Sequence, residues 1–201
     1  MIAEIVATAA RLLSGCRPRW LDEPPTPGPR VYFANHASHL DALVIWASLP
    51  SACRKRCRIV AAADFWNGNG LRRWLAKDVF RALLIERKKV TRANNPAEAM
   101  SEVLTCGDAL IIFPEGGRGS GNAVESFRGG LWHLARRHPG LEFSPVWLEN
   151  LNRILPKGEV LPVPLISAVT FGKSFQCDMQ QGKDQFLDSA RNALIKLREH
   201  E

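Results

Sequence analysis

The sequence predicts one α/β domain, a layered fold in which a mixed, mostly parallel β-sheet is covered by helices. Short apolar runs typical of buried strands alternate along the chain with segments whose apolar residues recur at helical spacing. Connections between such strands cross over the sheet through helices. The chain has 201 residues, 46% of them hydrophobic, which suits a single core.

A short amphipathic helix is predicted at the N-terminus, over residues 1–14. Its apolar side chains recur at helical spacing: Ile2, Ile5, Val6, Ala9, Leu12 and Leu13. Such a helix could pack on the domain or lie in a membrane interface, and both options remain open. Four prolines between residues 24 and 29 then predict an extended connector. We expect residues 1–29 to form this helix and connector, and residues 30–201 to form the main domain.

The first strand, at residues 31–33, is expected to deliver a histidine to the edge of the sheet. Ser38 and Asp41 have a capping-box-like spacing, so a helix should begin there and end near Leu49. His36 would lie in the loop, within reach of Asp41. A carboxylate on one ring nitrogen fixes the tautomer of a histidine and stabilises its charged form, so the pair can act as a general base. Alternatively, Asp41 only caps the helix and His36 makes a structural hydrogen bond.

The middle of the chain continues the alternation. A basic loop over residues 51–58 leads into a strand at residues 58–61, and helical turns follow around Trp66 and Trp74. Residues 83–85 form a further strand candidate. A helix then begins at Asn95, a good capping residue followed by a proline, and it ends before Gly107.

The formal net charge of +7 is concentrated in this middle part. Three clusters contribute: Arg54, Lys55, Arg56 and Arg58; Arg72 and Arg73; and Arg87, Lys88, Lys89 and Arg92. Such a surface attracts anionic lipid headgroups, an acidic protein or nucleic acid. Because no nucleic-acid-binding motif accompanies the charge, nucleic acid is not expected as a partner. An anionic membrane surface or an acyl carrier protein is the expected partner, and a basic face that contacts only solvent is the open alternative.

Another apolar strand begins at Leu110. It is followed by a glycine-rich loop that carries Glu115 and Arg118. Glycines such as Gly116 and Gly117 let the backbone approach a ligand closely, and a planar guanidinium matches two phosphate oxygens at once. The loop therefore predicts an anion site. The alternative is a tight turn with a surface ion pair.

The remaining elements complete the layered pattern. A short helix is predicted at residues 131–137, a buried strand at 143–148 and a last strand at 166–171. The C-terminal residues 184–200 place their apolar side chains on one stripe, which predicts an amphipathic closing helix.

The two loops together resemble a known family. Glycerolipid acyltransferases, typified by 1-acylglycerol-3-phosphate acyltransferase, carry an Asn-His-x4-Asp block followed by Phe-Pro-Glu-Gly-x-Arg. Both blocks are complete in this chain, as residues 35–41 (Asn-His-Ala-Ser-His-Leu-Asp) and residues 113–118 (Phe-Pro-Glu-Gly-Gly-Arg). The resemblance extends over residues 30 to 150 and implies a fold like that of glycerol-3-phosphate acyltransferase.

The resemblance also implies a reaction. His36, held by Asp41, would remove a proton from a lysophospholipid hydroxyl as this oxygen attacks the thioester of acyl-CoA or of acyl carrier protein. Glu115, Gly116, Gly117 and Arg118 would form the substrate-binding loop, in which Glu115 cannot bind phosphate itself and would fix the glycine loop or accept a hydrogen bond from a substrate hydroxyl. The expected substrate is 1-acylglycerol-3-phosphate, and the expected product is phosphatidic acid. No metal and no cofactor beyond the acyl donor are implied.

A third block of the family, Gly-x-x-Phe-Ile-x-Arg, supplies a phosphate-binding arginine and is altered here. Arg87 falls on the arginine position, with Ile85 two residues before it. Arg81 stands in place of the glycine and Leu84 in place of the phenylalanine. The resemblance thus makes Arg87 a predicted headgroup ligand and leaves open which headgroup is bound.

Other functions are compatible with the same residues. His36, His39 and Asp41 could hold a metal ion in a hydrolase, the fold could serve as a lipid-binding module without turnover, and another lysolipid could be the acceptor. The five scattered cysteines favour a reducing compartment. Since no apolar run reaches ~18 residues, we expect a cytoplasmic protein, with attachment to the inner face of the cytoplasmic membrane left open.

Overall fold

The computed structural model describes residues 2–86, 94–119, 123–151 and 167–200. The strands of these residues form one sheet of eight strands. They are β1 (Arg17–Trp20), β2 (Arg30–Ala34), β3 (Cys57–Ala62), β4 (Leu83–Ile85), β5 (Ala109–Ile112), β6 (Glu142–Glu149), β7 (Ala168–Phe171) and β8 (Phe175–Gln176).

The strand order is β1-β7-β6-β2-β5-β3-β4, and β8 pairs with β6 beside β7. Parallel pairing joins β1 to β7, β2 to both β5 and β6, and β3 to both β4 and β5. Only the pairings of β6 with β7 and with β8 are antiparallel among the described strands. The predicted α/β fold with a mixed, mostly parallel sheet is confirmed.

Helices cover the sheet on both sides. They are α1 (Ile2–Ser14), α2 (Asp41–Ser48), α3 (Ser51–Lys55), α4 (Ala63–Trp66), α5 (Gly70–Trp74), α6 (Pro96–Thr105), α7 (Gly130–Arg137) and α8 (Lys183–Lys196). A π-helical segment, Leu75–Val79, follows α5, and a 3₁₀ turn, Leu197–His200, follows α8. The start of α6 is as predicted, because Asn95 Oδ1 accepts a hydrogen bond from the Ala97 N–H at 3.0 Å.

The core lies in two layers separated by the sheet. Side chains of a strand point alternately to its two faces, and β2 follows this rule: Tyr32 and Ala34 pack in one layer with Trp46. Val31 and Phe33 pack in the other layer with α6, α7 and α8. These four β2 side chains are all buried. β2 is therefore a central strand that fixes the start of the loop that follows it.

Strand β1 was not predicted. It lies within the segment expected to form a helix and connector, and it pairs in parallel with β7. The ring of Trp20 stacks on Phe171 with 3.8 Å between centroids. Three of its four residues are exposed, so the strand lacks the apolar alternation by which strands are recognised. Residues 17–20 thus belong to the same sheet as the strands after residue 30.

The predicted basic loop at residues 51–58 is wrong in its first half, where the chain forms α3. Arg54 is only 4% exposed, although the sequence analysis placed it on a basic surface. Its guanidinium donates hydrogen bonds to the carbonyls of Ala47 (3.1 Å) and Leu49 (3.0 Å) and pairs with Glu4 of α1. This buried cation joins α1, α2 and α3.

Helix α1 packs on the domain through its small side chains. Ala7, Ala10 and Ser14 are buried against the core. Val6 of the predicted stripe also packs against the core. The longer aliphatic residues of the stripe instead face outward: Ile5 is 62% exposed and Leu12 is 77% exposed. No helix in the described ranges is both long enough and apolar enough to cross a bilayer.

Candidate active site

The His36 loop leaves the sheet at the carboxyl end of β2, and Asn35 anchors its first residue. The Asn35 side chain donates to the Leu148 carbonyl at 3.0 Å and accepts from the Leu148 N–H at 2.9 Å. Leu148 belongs to β6, which pairs with β2. Asn35 therefore continues the strand pairing with its side chain where the backbone turns away. Asn35 is part of the first motif, but the spacing of the motif indicated no role for it.

His36 and Asp41 form a hydrogen-bonded pair. The distance from His36 Nδ1 to Asp41 Oδ2 is 2.8 Å, with the Asp41 side chain 1% exposed and that of His36 22% exposed. The same Oδ2 accepts the backbone N–H groups of Ala37 (2.7 Å) and Ser38 (2.8 Å). A carboxylate can only accept, so Nδ1 of a neutral ring carries the proton and Nε2 keeps the lone pair that a general base needs.

Helix α2 begins at Asp41, later than the capping-box-like spacing predicted. Leu40 is its N-cap and makes no side-chain capping bond. The loop is stabilised instead by the bonds from the Ala37 and Ser38 N–H groups to the Asp41 carboxylate. The same carboxylate thus shapes the loop and orients the imidazole.

Phe113 holds the other side of this arrangement. Its ring stacks on His36 with 4.1 Å between centroids and 21° between planes. Phe113 directly follows β5, so it lies in the second predicted loop. With Asp41 at Nδ1 and Phe113 on one ring face, the orientation of His36 is fixed from two directions. The motif contained Phe113, but spacing alone did not indicate this contact.

Glu115 connects the two loops and is 6% exposed. Its Oε1 accepts the His36 N–H at 2.9 Å, and its Oε2 accepts the Glu125 N–H at 3.1 Å. Burial raises the pKa of this carboxyl, although the hydrogen bonds from Glu125 and His36 act in the opposite direction. Of the two roles expected for Glu115, fixing the glycine loop or accepting from a substrate hydroxyl, these contacts favour the first, because both oxygens accept backbone amides.

The glycine loop closes the contact from its own side. The Gly119 N–H donates to the His36 carbonyl at 2.9 Å. Gly116 has φ +76°, and the Arg128 side chain occupies the space that a Cβ at this position would need, so both backbone and packing favour glycine. A Cβ at Gly117, in contrast, would meet no atom within 4 Å.

Arg118 is exposed on this loop. Its charge, after the larger effect of burial, helps to lower the pKa of His39, which places the guanidinium near the His36 loop. Arg87, the other predicted headgroup ligand, lies outside the described residues. Its role stays a prediction.

Strand order explains why the two loops meet. β2 and β5 are neighbouring parallel strands, with Phe33 opposite Ile112. Their carboxyl ends therefore lie at one edge of the sheet, and a ligand site at such an edge is typical of parallel α/β sheets. The structure brings His36, Asp41 and Glu115 together there, with Gly116, Gly117 and Arg118 on the adjoining turn.

The alternative function, a metal-dependent hydrolase, would need a metal site at His36, His39 and Asp41. Within the described ranges, no three His, Cys, Asp or Glu side chains are grouped closely enough to hold a metal ion. In the trio His36, His39 and Asp41, the shared oxygen of Asp41 already binds the His36 ring and two amides.

The family model described as Acyltransferase matches residues 20–149. This match covers well over half of the chain and includes both loops. The chain belongs to the acyltransferase family. Transfer of an acyl group is accordingly the reaction for which the site must account. A comparison with curated proteins matches none of them.

The fold of this acyltransferase is similar to that of a solved structure. The crystal structure of the 1-acyl-sn-glycerophosphate (LPA) acyltransferase PlsC from Thermotoga maritima matches with a TM-score of 0.77 and 17% sequence identity. The match covers 99% of this chain and 78% of the other. The two proteins share an α/β architecture, including the N-terminal helix of this chain within the matched region.

Proposed function

We propose that this acyltransferase moves a fatty acyl group from a thioester, acyl-CoA or acyl carrier protein, to the free hydroxyl of a lysophospholipid. The proposed acceptor is 1-acylglycerol-3-phosphate and the product phosphatidic acid. The observation that carries the proposal is the 2.8 Å contact between His36 Nδ1 and Asp41, which leaves Nε2 as the base beside a glycine loop with an exposed arginine. The likeness in fold to PlsC, an LPA acyltransferase, supports this choice of acceptor.

In the proposed reaction, His36 Nε2 takes the proton of the acceptor hydroxyl while the oxygen attacks the thioester carbonyl. Asp41 stabilises the imidazolium that forms. The attack forms the carbon–oxygen bond of the new ester. The carbon–sulfur bond then breaks, and the leaving thiolate takes the proton from Nε2. The acceptor hydroxyl is itself the nucleophile, so the balance needs no covalent acyl-enzyme, cofactor or metal ion.

The phosphate of the acceptor is assigned to Arg118, with Arg87 as a second ligand. A guanidinium binds phosphate oxygens in pairs, and Arg118 is exposed on the loop whose Gly119 contacts the His36 backbone. Holding the headgroup there would bring the free hydroxyl toward Nε2. Positioning of this kind supplies a large part of the barrier reduction in two-substrate reactions.

Replacing the base tests the reaction. His36→Ala is expected to lower the rate of acyl transfer by ~10²- to 10⁴-fold, because general base catalysis is lost. The measurement is incorporation of a radiolabelled acyl group into lysophosphatidic acid, with circular dichroism to show that the variant is folded. His39→Ala, an exposed histidine of the same loop, is the matched control and should retain turnover. A folded His36→Ala enzyme with normal turnover would remove His36 from the mechanism.

Replacing the arginine tests the acceptor. Arg118→Ala should raise the KM for lysophosphatidic acid and leave kcat nearly unchanged, because a headgroup contact exists in both the ground state and the transition state. A monoacylglycerol, which lacks the phosphate, serves as the control acceptor, and its KM should not respond. If the KM for lysophosphatidic acid also stays constant, the phosphate binds elsewhere.

We also propose that α1 binds an anionic membrane surface, which would bring the enzyme to its lipid substrate at the inner face of the cytoplasmic membrane. The helix buries small residues and exposes Ile2, Ile5, Leu12 and Leu13. Arg17 and Arg19 of β1 follow directly and are exposed too. An apolar helix face next to basic residues is the pattern of interfacial helices.

Vesicle sedimentation tests this attachment. The double variant Leu12→Ser/Leu13→Ser should bind vesicles of phosphatidylcholine and phosphatidylglycerol more weakly than the wild type. Its matched control, Thr8→Ser/Ala9→Ser, changes two exposed positions of the same helix without removing large aliphatic groups. Equal sedimentation of the two double variants would contradict membrane docking through α1.

A further inference from the structure

A surface cavity of about 370 Å³ is lined mostly by cations, and none of its residues belongs to the candidate active site. We call it the basic cavity; it is lined by Arg58, Arg73, Lys77, Arg81, Ala82 and Leu84. Ala82 and Leu84 provide its apolar wall. Four cationic side chains around one small cavity are an unusual concentration of like charge, which is destabilising unless an anion offsets it.

The basic cavity is formed near the opposite end of the sheet from His36. Arg58 is the second residue of β3, and Arg81 lies two residues before β4. Both arginines therefore stand at the amino ends of parallel strands. His36 and Glu115, in contrast, follow the carboxyl ends of β2 and β5. Arg73 and Lys77 come from α5 and the π-helical segment, which lead the chain from the end of β3 to the start of β4.

One buried carboxylate organises part of this charge. Asp108, 5% exposed, pairs with Arg58 at 2.9 Å and with Arg81 at 3.4 Å. It also pairs with Arg56 at 3.3 Å, so three guanidinium groups share one acid. The carboxylate thus fixes two of the cavity arginines in place and leaves most of their charge uncompensated.

The other two cations have no acidic partner in the part of the chain that the structure describes. No carboxylate lies within ion-pair distance of Arg73 or Lys77 there. Both side chains are exposed on their helical segment. The Arg73 guanidinium donates a hydrogen bond to a carbonyl, that of Asn67 at 3.4 Å. The cavity therefore combines two arginines held by Asp108 with two exposed cations whose charge no carboxylate of the described residues offsets.

We propose that the basic cavity binds a phosphate-bearing ligand, as a second anion site separate from the one at Arg118. Guanidinium groups match phosphate oxygens in pairs, and a lysine adds a compact point charge. Because Asp108 already orients Arg58 and Arg81, binding costs less ordering of these side chains. Two sources carry the same chemistry: the nucleotide end of a coenzyme A thioester and the headgroup of an anionic lipid.

Binding measurements on the double variant Arg73→Ala/Lys77→Ala test the proposal. Both residues are exposed and unpaired with acids in the described ranges, so the fold should be retained. The matched control, Lys196→Ala/Arg198→Ala, removes the same charge from exposed positions at the C-terminal end of the chain. Calorimetric titration at low salt uses inorganic pyrophosphate as the probe. Every protein in this comparison carries His36→Ala, and the His36→Ala protein without further changes serves as the wild-type reference. The result therefore does not depend on turnover or on the proposed reaction.

We expect the cavity variant to bind pyrophosphate about tenfold or more weakly than the wild type and the control, since two charge-assisted contacts are lost. Parallel titrations with adenosine 3′,5′-bisphosphate and with phosphatidic acid vesicles identify the source. The same loss with the nucleotide supports a coenzyme A site, and the same loss with vesicles supports a lipid headgroup site. Absence of pyrophosphate binding to the wild type, or equal affinities of the two double variants, would overturn the proposal.

Discussion

Two buried carboxylates flank His36, and their contacts differ. Asp41 binds the imidazole itself through the same oxygen that accepts two backbone amides. Glu115 binds only backbone, one amide from each of two loops. Asp41 is thus in direct contact with the proposed base, whereas Glu115 acts through the loops as a positioning residue. Residue type alone could not separate these roles, because a carboxylate can orient an imidazole or hold a loop through backbone amides.

Replacing the second carboxylate should change how stability depends on pH. Burial raises the pKa of Glu115 above its ordinary value of 4.5, so the folded chain binds this proton more tightly than the unfolded chain does. The contribution of Glu115 to stability is therefore fully present below pH 4.5 and is lost as the pH rises through the pKa of the folded protein. The unfolding free energy of the wild type minus that of Glu115→Gln should fall over this window.

Urea denaturation of both proteins, repeated at several pH values from 4 to 8, measures the difference. Glutamine keeps the size of the side chain and cannot ionise, so titrations of all other groups cancel in the comparison. A difference that grows as the pH rises would mean that the pKa of Glu115 is lowered by the two amide hydrogen bonds, with burial as the weaker effect.

At the scale of elements, a short helix that the sequence analysis took for a loop joins the N-terminal helix to the domain. Arg54 of α3 reaches carbonyls at the end of α2 and the Glu4 carboxylate of α1. Its guanidinium carbon also lies 5.4 Å from the centroid of the Trp46 ring. A basic run is usually solvent-exposed, but here one of its members satisfies carbonyls that would otherwise be buried without a donor.

Arg54→Ala is therefore expected to lower the free energy of unfolding by about 2–4 kcal/mol. The loss combines a cavity with two buried carbonyls left without donors. Lys55→Ala, an exposed neighbour in the same helix, is the control and should change stability by less than ~0.5 kcal/mol. Urea denaturation followed by tryptophan fluorescence measures both. Identical midpoints for the two variants would show that the buried arginine contributes no stability.

At the scale of the whole molecule, the N-terminal segment completes the sheet. β1 covers the outer edge of β7, Trp20 stacks on Phe171, and α1 adds Ala7 and Ala10 to the core layer that contains Trp46. These contacts join residues at the two ends of the described chain. An uncovered β7 would present unpaired backbone groups, which promote association between chains.

Deleting residues 1–22 should therefore lower the melting temperature and promote aggregation. Size-exclusion chromatography and thermal denaturation give the measurement. The full-length variant Leu12→Ser/Leu13→Ser, which keeps β1 and alters only exposed side chains, is the control and should stay folded. A truncated chain that is monomeric with an unchanged melting temperature would instead support residues 30–201 as a self-sufficient domain, the division expected from the sequence.

The sequence by itself determined most of the elements and the chemistry of the site residues. Apolar runs located β2 to β7, apart from Ile166 at the predicted start of β7, which lies outside the described residues. The paired motifs indicated a histidine base and an anion-binding loop. Strand β1 and helix α3 were not predicted, because exposed or charged residues form them. Strand β8 was not predicted either, because it has only two residues. Local periodicity records which side chains are buried, and it says little about segments held by backbone pairing or by one buried cation.

Only the tertiary structure decided which segments meet. It placed β2 beside β5, so that Glu115 and Gly119 bond to His36. It turned Ile2, Ile5, Leu12 and Leu13 of α1 outward. It also gathered the basic cavity from β3, α5, the π-helical segment, and β4 with the two residues before it. The physical reason is that strands pair through backbone groups common to every residue. The order of strands therefore depends on how the whole chain packs, which the pattern of any single segment does not contain.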